Sequence, residues 1–270
     1  MAYMNDLGVK LSEAYKEHTC FKELEDMKGF YDNTSDRSYL VVPLGTKSLL
    51  NFESYVFMSI YGTLDSIKLL LMDGKINDAF VLVRKYYDDI LADIYLQVLL
   101  NENNEIRKGF VVEEVQQWLE TSYRIPSSKK ILHTLMTSPT TKDLYPFFGW
   151  KTYLKRIREI LDDSVHANRY SCMLFNCNKV YLGDKREKQL DKMLIILRQL
   201  MKIQVAFMFH LTPIYLMASD YMDYIEEGMQ PPEGSESWIA PYAQKAFDKY
   251  IKPDDKLATF IKANCYLDIC

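Results

Sequence analysis

Two helical stripes separated by a short break constrain this chain more than any other feature of it. Leu50, Val56, Ile60, Leu64, Ile67 and Leu71 recur at spacings of three, four and six, which paints one apolar stripe on a helix over about 46–73. Asp73-Gly74 closes that helix, and Asn77 or Asp78 is placed to cap the next. Phe80, Val83, Tyr87, Ile90, Ile94 and Val98 then fall three or four apart. A connection this short turns the chain straight back on itself, so the spacing predicts a long antiparallel αα-hairpin over 46–100.

The rest of the chain extends the same pattern. After the polar break NENNE at 101–105, shorter helices are expected at about 112–122 and 128–136, and longer ones at about 149–165 and 185–226. MQPPEGSES at 229–237 interrupts the period, and two short amphipathic helices at about 241–251 and 255–264 finish it. SCMLFNCNKVYLG, 171–183, is different: two short apolar runs flank Asn176-Cys177-Asn178, the pattern of a small β-hairpin or extended excursion. Ten Gly and nine Pro in 270 residues are too few for the turns of an all-β sandwich or barrel. The expected fold is therefore all-α, a four-helix-bundle-like core over 46–228 with helical extensions at 1–45 and 229–270. No repeat of solenoid length is visible.

Several functions lack their parts. The opening residues MAYMNDLGVKLSEAYKEH have no basic segment, apolar run and small-residue cleavage site in succession, so a cytoplasmic protein is expected. Cys20, Cys172, Cys177, Cys265 and Cys270 include no C-x-x-C pair, which argues against a disulfide framework or a zinc knuckle. Cys172 and Cys177 lack a His or second Cys pair at ligand spacing, so free thiols are the simpler reading and neither metal nor cofactor is expected. The most apolar segment, IQVAFMFHLTPIYLMA at 203–218, is interrupted by Gln204, His210 and Pro213. It reads as a buried helix bent or ended near Pro213 and not as a membrane span. Phosphate loops, dinucleotide fingerprints, nucleophile elbows and H-E-x-x-H helices are all missing from the sequence.

What remains is RIREILDDSVHANRY, 156–170. The formal net charge is −4, yet residues 151–202 hold twelve Lys or Arg against six acids, a local +6 that leaves −10 for the remainder. This basic region surrounds His166, one of only four histidines, and a field of that sign attracts phosphate-bearing partners. Arg158, Asp162 and His166 stand at i, i+4 and i+8, candidates for one polar stripe; Asn168, Arg169, Arg156 and Lys155 are the nearby candidates for nucleic-acid contact. The bland reading of the same residues is an i,i+4 ion pair, a helix-ending His and a solvated charged face. His18, His133 and His210 have no such neighbours, and His210 in its apolar run reads as a core histidine.

A hairpin of long helices, a basic third helix with an Arg preceding a His near its end, and a fourth long helix together resemble the HEPN superfamily over roughly 46–225. That superfamily includes metal-independent ribonucleases of toxin, phage-defence and CRISPR systems, commonly acting as dimers. Its catalytic members carry R-x4-6-H; here Glu, Ile and Leu occupy 159–161, and the nearest Arg is Arg158, with seven residues between it and His166. The resemblance implies a ribonuclease with His166 as acid or base and Arg158 and Asp162 beside it. On the second long helix Arg84, with Asp88 and Asp89, is expected to pair locally or to buttress the third helix. Implied partners are RNA, a second copy of the chain and a protein of a defence system. The alternative is a HEPN-like helix assembly that cleaves nothing and serves interaction or oligomerisation.

Overall fold

The computed structural model describes residues 11–103, 111–149, 154–166, 168–176 and 182–270. In chain order the helices are α1 (Glu13–Lys16), α2 (Thr19–Leu40), α3 (Phe52–Met72), α4 (Ile76–Asn103), α5 (Glu113–Leu119) and α6 (Ser128–Thr137). There follow α7 (Lys155–Val165), α8 (Tyr170–Leu174), α9 (Lys185–Leu211), α10 (Asp220–Glu226), α11 (Pro241–Ala246) and α12 (Asp255–Asn264). The fold is all-α; among the described residues the one element of β pairing is an isolated bridge between Met217 and Ile239.

The expected stripes become the buried faces. Ile60, Leu64, Ile67 and Leu71 of α3 lie against Phe80, Val83, Tyr87, Ile90 and Ile94 of α4, all inside one core cluster. Asp73, Gly74 and Lys75 make the turn, with Gly74 at φ 72, where a residue without Cβ is unstrained. The same cluster takes in Tyr15 and Met27 near one end of the chain and Ile261 and Leu267 near the other, so 1–45 and 229–270 contribute described residues to a core shared with 46–228.

Paired polar side chains fix the helix directions. Lys28 reaches Asp65 at 2.6 Å and Ser35 meets Ser54 at 3.0 Å, so α2 and α3 run antiparallel. His18 meets Asp191 at 3.1 Å and Arg198 meets Glu23 at 2.9 Å, which sets α2 parallel to α9. Gln204 donates to Asp93 at 2.6 Å, while Arg186 donates to the Gly74 carbonyl at 3.2 Å, so α4 also runs parallel to α9. Four long helices, α2, α3, α4 and α9, thus pack in sequence around the core, with α3 alone reversed. Only a long crossover joins parallel neighbours, and α5 to α8 make it between α4 and α9.

Two local expectations are corrected. Where 171–183 was expected to be extended, Tyr170–Leu174 is helical, and residues 177–181 lie outside the described residues. Here α4 starts at Ile76, so Asn77 and Asp78 stand inside its first turn and do not cap it. The two corrections share a cause. The Phe175 carbonyl accepts the Ile76 N–H at 3.1 Å and Asn176 Oδ1 accepts the Asp78 N–H at 3.1 Å, so the segment after α8 serves as the cap of α4 instead of pairing as a strand.

Helix α9 ends at Leu211, where Thr212 leaves helical geometry and Pro213 opens a single 3₁₀ turn before α10. Both α3 and α9 are long and apolar enough to cross a membrane by length and composition, and most of the apolar length of α9 is buried in the protein.

Candidate functional site

Helix α7 carries the sequence-derived site and is bound to the core by Leu154, Ile157 and Leu161, all buried. That face lies on α4, and the remaining positions fall on two flanks. One flank meets α4 and α6. There Arg84 Nε donates to Asp162 Oδ1 at 2.8 Å, and its guanidinium pairs with Asp88 and lies 5.2 Å from the centre of the Tyr87 ring. Arg158 Nε stands 3.4 Å from the other Asp162 oxygen, and its Nη1 donates to Ser128 Oγ at 2.5 Å. The expectation that Arg84 buttresses the third helix and the expectation that it pairs locally are both met by this one guanidinium.

The other flank faces a groove of about 610 Å³ between the start of α4, α7, α8 and the first turns of α9. Arg156, Arg169 and Lys192 bring three cations to its wall, against Glu159 and Asp163. Arg169 is held by Asp163 at 2.8 Å, and the Asn168 amide approaches the other Asp163 oxygen at 3.4 Å. Lys155 lies outside the groove, exposed, 3.7 Å from Glu159. Arg156 makes no ion pair among the described residues, which leaves its guanidinium available to an incoming anion.

His166 forms the C-cap of α7, its N–H donating to the Asp162 carbonyl at 3.0 Å. Its side chain is exposed, and its ring makes no hydrogen bond among the described residues. It follows Ser164 and precedes Arg169, both of which line the groove. Arg158 is eight residues earlier, about 12 Å along the helix axis and roughly 80° around it. Helical spacing alone therefore separates the Arg158 guanidinium from the imidazole. The structure joins Arg158, Asp162, Arg84 and Asp88 in one network and Arg169, Asn168 and Asp163 in another, with His166 at the helix end between them.

Lys192 is the groove residue that sequence reasoning counted only as charge. Burial of its ammonium holds its pKa below the usual lysine value, against the opposing pull of Asp163, and its Nζ lies 5.7 Å from the Phe80 ring centre. Asn77, Gln189 and Cys172 complete the polar wall. They come from three different helices, so no local spacing announces them.

Two of the other histidines, His18 and His210, have structural contacts. His18 caps α2, its Nδ1 accepting the Cys20 N–H at 3.1 Å, which leaves Nε2 as the donor to Asp191. His210 Nε2 donates to the Thr140 carbonyl at 2.6 Å, while its Nδ1 has no partner. Cys172 approaches the Asp163 carbonyl at 3.7 Å, and Cys177 lies outside the described residues. Among the described residues no group of three or more His, Cys, Asp or Glu side chains is arranged to hold a metal ion.

The chain was compared with protein-family models, with curated proteins and with solved structures, and it matches none of them.

Proposed function

We propose that the protein is a cytoplasmic RNA-binding effector of HEPN type that cleaves RNA without a metal, with His166 as its acid or base. The observation that carries this reading is the groove lined by Ser164 and Arg169, on either side of His166 in the chain, where Arg156, Arg169 and Lys192 converge and Arg156 has no acid partner among the described residues. Guanidinium groups hold phosphate oxygens in two places at once, so Arg156 and Arg169 bind the backbone on either side of the bond to be cut. A base removes the proton of a ribose 2′-hydroxyl, that oxygen attacks the adjacent phosphorus, and the 5′-oxygen leaves with a proton from an acid. Lys192 and the two arginines stabilise the charge that builds on the phosphoryl oxygens. One imidazole per chain supplies either the acid or the base, so the working unit is a pair of chains whose His166 residues act together. A defence or toxin role, with a partner protein that triggers it, follows from the HEPN resemblance.

In this account Arg158 and Asp162 are positioning residues. They orient α7 through Arg84 and Ser128 and do not touch RNA. The same network favours a second reading, a helical interaction module in which the degenerate motif only locks α7 to α4 and α6. Arginine variants separate the two. Cleavage of total RNA is expected to fall at least about tenfold in Arg169→Ala and to persist in Arg158→Ala. A wild-type protein that binds RNA and never cuts it establishes the interaction module.

A further inference from the structure

At the far end of α4 from the groove beside α7, about 30 Å along the helix from Asn77 to Gln97, the chain buries a carboxyl group that no cation holds among the described residues. Glu53, in the first turn of α3, is 1% exposed, and among the described residues neither of its carboxyl oxygens has a hydrogen-bond partner of good geometry, although the nearby Asn51 side chain favours its charged form. The amide of nearby Asn51 donates instead to Tyr215 Oη at 2.9 Å, and its oxygen accepts the Glu53 backbone N–H at 3.1 Å. Gln97 is 5% exposed and leaves Nε2 without an acceptor. Both side chains line a cavity of about 280 Å³ walled by Phe52, Leu100 and Tyr215, with the exposed Val42 on its rim.

A polar group is buried without a partner only at a cost, and native proteins rarely leave two beside one cavity. The first turn of a helix favours negative charge, so the position of Glu53 suits a carboxylate once a counter-charge arrives. No cation of the chain pairs with it among the described residues. Two oxygens of one carboxylate match two parallel N–H donors, the arrangement of a guanidinium or amidine. Such a planar, weakly hydrated cation also tolerates apolar and aromatic walls better than a compact ammonium does. The Gln97 amide then donates to an acceptor elsewhere on the same ligand.

We propose that this cavity is a binding site for a small organic cation of guanidinium or amidine type, held by Glu53 through paired N–H···O bonds. Burial, and then the charge of Asp93 across on α4, push the Glu53 carboxyl well above the usual carboxylate range. A cation paired with the carboxylate opposes that rise, so binding is expected to draw a proton off wherever Glu53 carries one.

Benzamidine titrated into the full chain by calorimetry at neutral pH, in two buffers of different ionisation enthalpy, tests the site. The expected result is one-site binding accompanied by net proton release. Affinity should fall at least about tenfold in Glu53→Gln and in the rim variant Val42→Trp, which keeps the carboxyl. Asp93→Asn should still bind, because the paired N–H···O bonds are made by Glu53. Benzyl alcohol, of similar shape and uncharged, should not bind. Absence of benzamidine binding, equal binding of benzyl alcohol, or full affinity in a folded Glu53→Gln overturns the proposal. If Glu53→Gln does not fold, an undiminished affinity in Val42→Trp overturns it as well.

Discussion

At the scale of single residues, two carboxylates were legible as acids and illegible as buried ones. Asp93 stands on α4 three residues after Ile90 and one before Ile94, in a run whose stripe suggests only core, and it is 2% exposed. Burial raises its pKa from 3.8 to about 7, the Gln204 hydrogen bond opposing the rise. The folded state thus keeps a proton that the unfolded chain releases near pH 4. Stability from this group is complete below that pH and is lost as pH climbs through about 7, by roughly 4 kcal/mol in all. Asp93→Asn is accordingly expected to flatten urea-unfolding free energies between pH 4 and 7 and to be the more stable protein at pH 8. An unchanged slope shows that Asp93 is ionised in the fold. The site residues divide in the same way. The ion pair of Arg158 with Asp162 follows from i,i+4 spacing, whereas the hold of Arg84 on Asp162 across 78 positions of chain was expected only as one of two roles. Lys192 was visible as one charge among twelve, because its desolvation depends on Phe80, contributed by another helix.

At the scale of elements, periodicity located α4, α5, α6 and α12 to within a few residues, since each buries one face and shows it as a stripe, whereas α3 begins six residues after 46 and α9 ends fifteen residues before 226. Caps were harder to read, because a helix end is satisfied by whatever is near it in space. For α4 that is Asn176, whose side chain both accepts from Asp78 N–H and donates to Asp78 Oδ1 at 2.5 Å. Asn176→Ala is expected to lower the unfolding free energy by about 1 kcal/mol, the usual worth of an N-cap, and Asn77→Ala to leave it nearly unchanged. Equal losses in the two variants place the cap inside α4 after all. Because Asn176 follows directly from α8, loosening it also loosens the wall of the groove that holds Arg169 and Cys172.

At the scale of the molecule, the all-α class followed from composition and period, while the direction of helices could not. Only the antiparallel α3–α4 pair is dictated by a short turn; the parallel setting of α4 and α9 rests on Gln204 meeting Asp93 and Arg186 meeting Gly74, contacts 111 and 112 residues apart in the chain. The proposed sharing of acid and base between two His166 residues requires two chains, so a mass at or above that of a dimer is expected by light scattering at micromolar concentration. A strict monomer that still cleaves RNA assigns the second role to another residue of the groove, with Lys192 the nearest basic group in kind. Total RNA incubated with the purified chain in EDTA, beside His166→Ala of matched melting temperature, is expected to be cut by the first protein and left whole by the second. Equal cleavage by both, or none by the wild type where it binds RNA, contradicts the account.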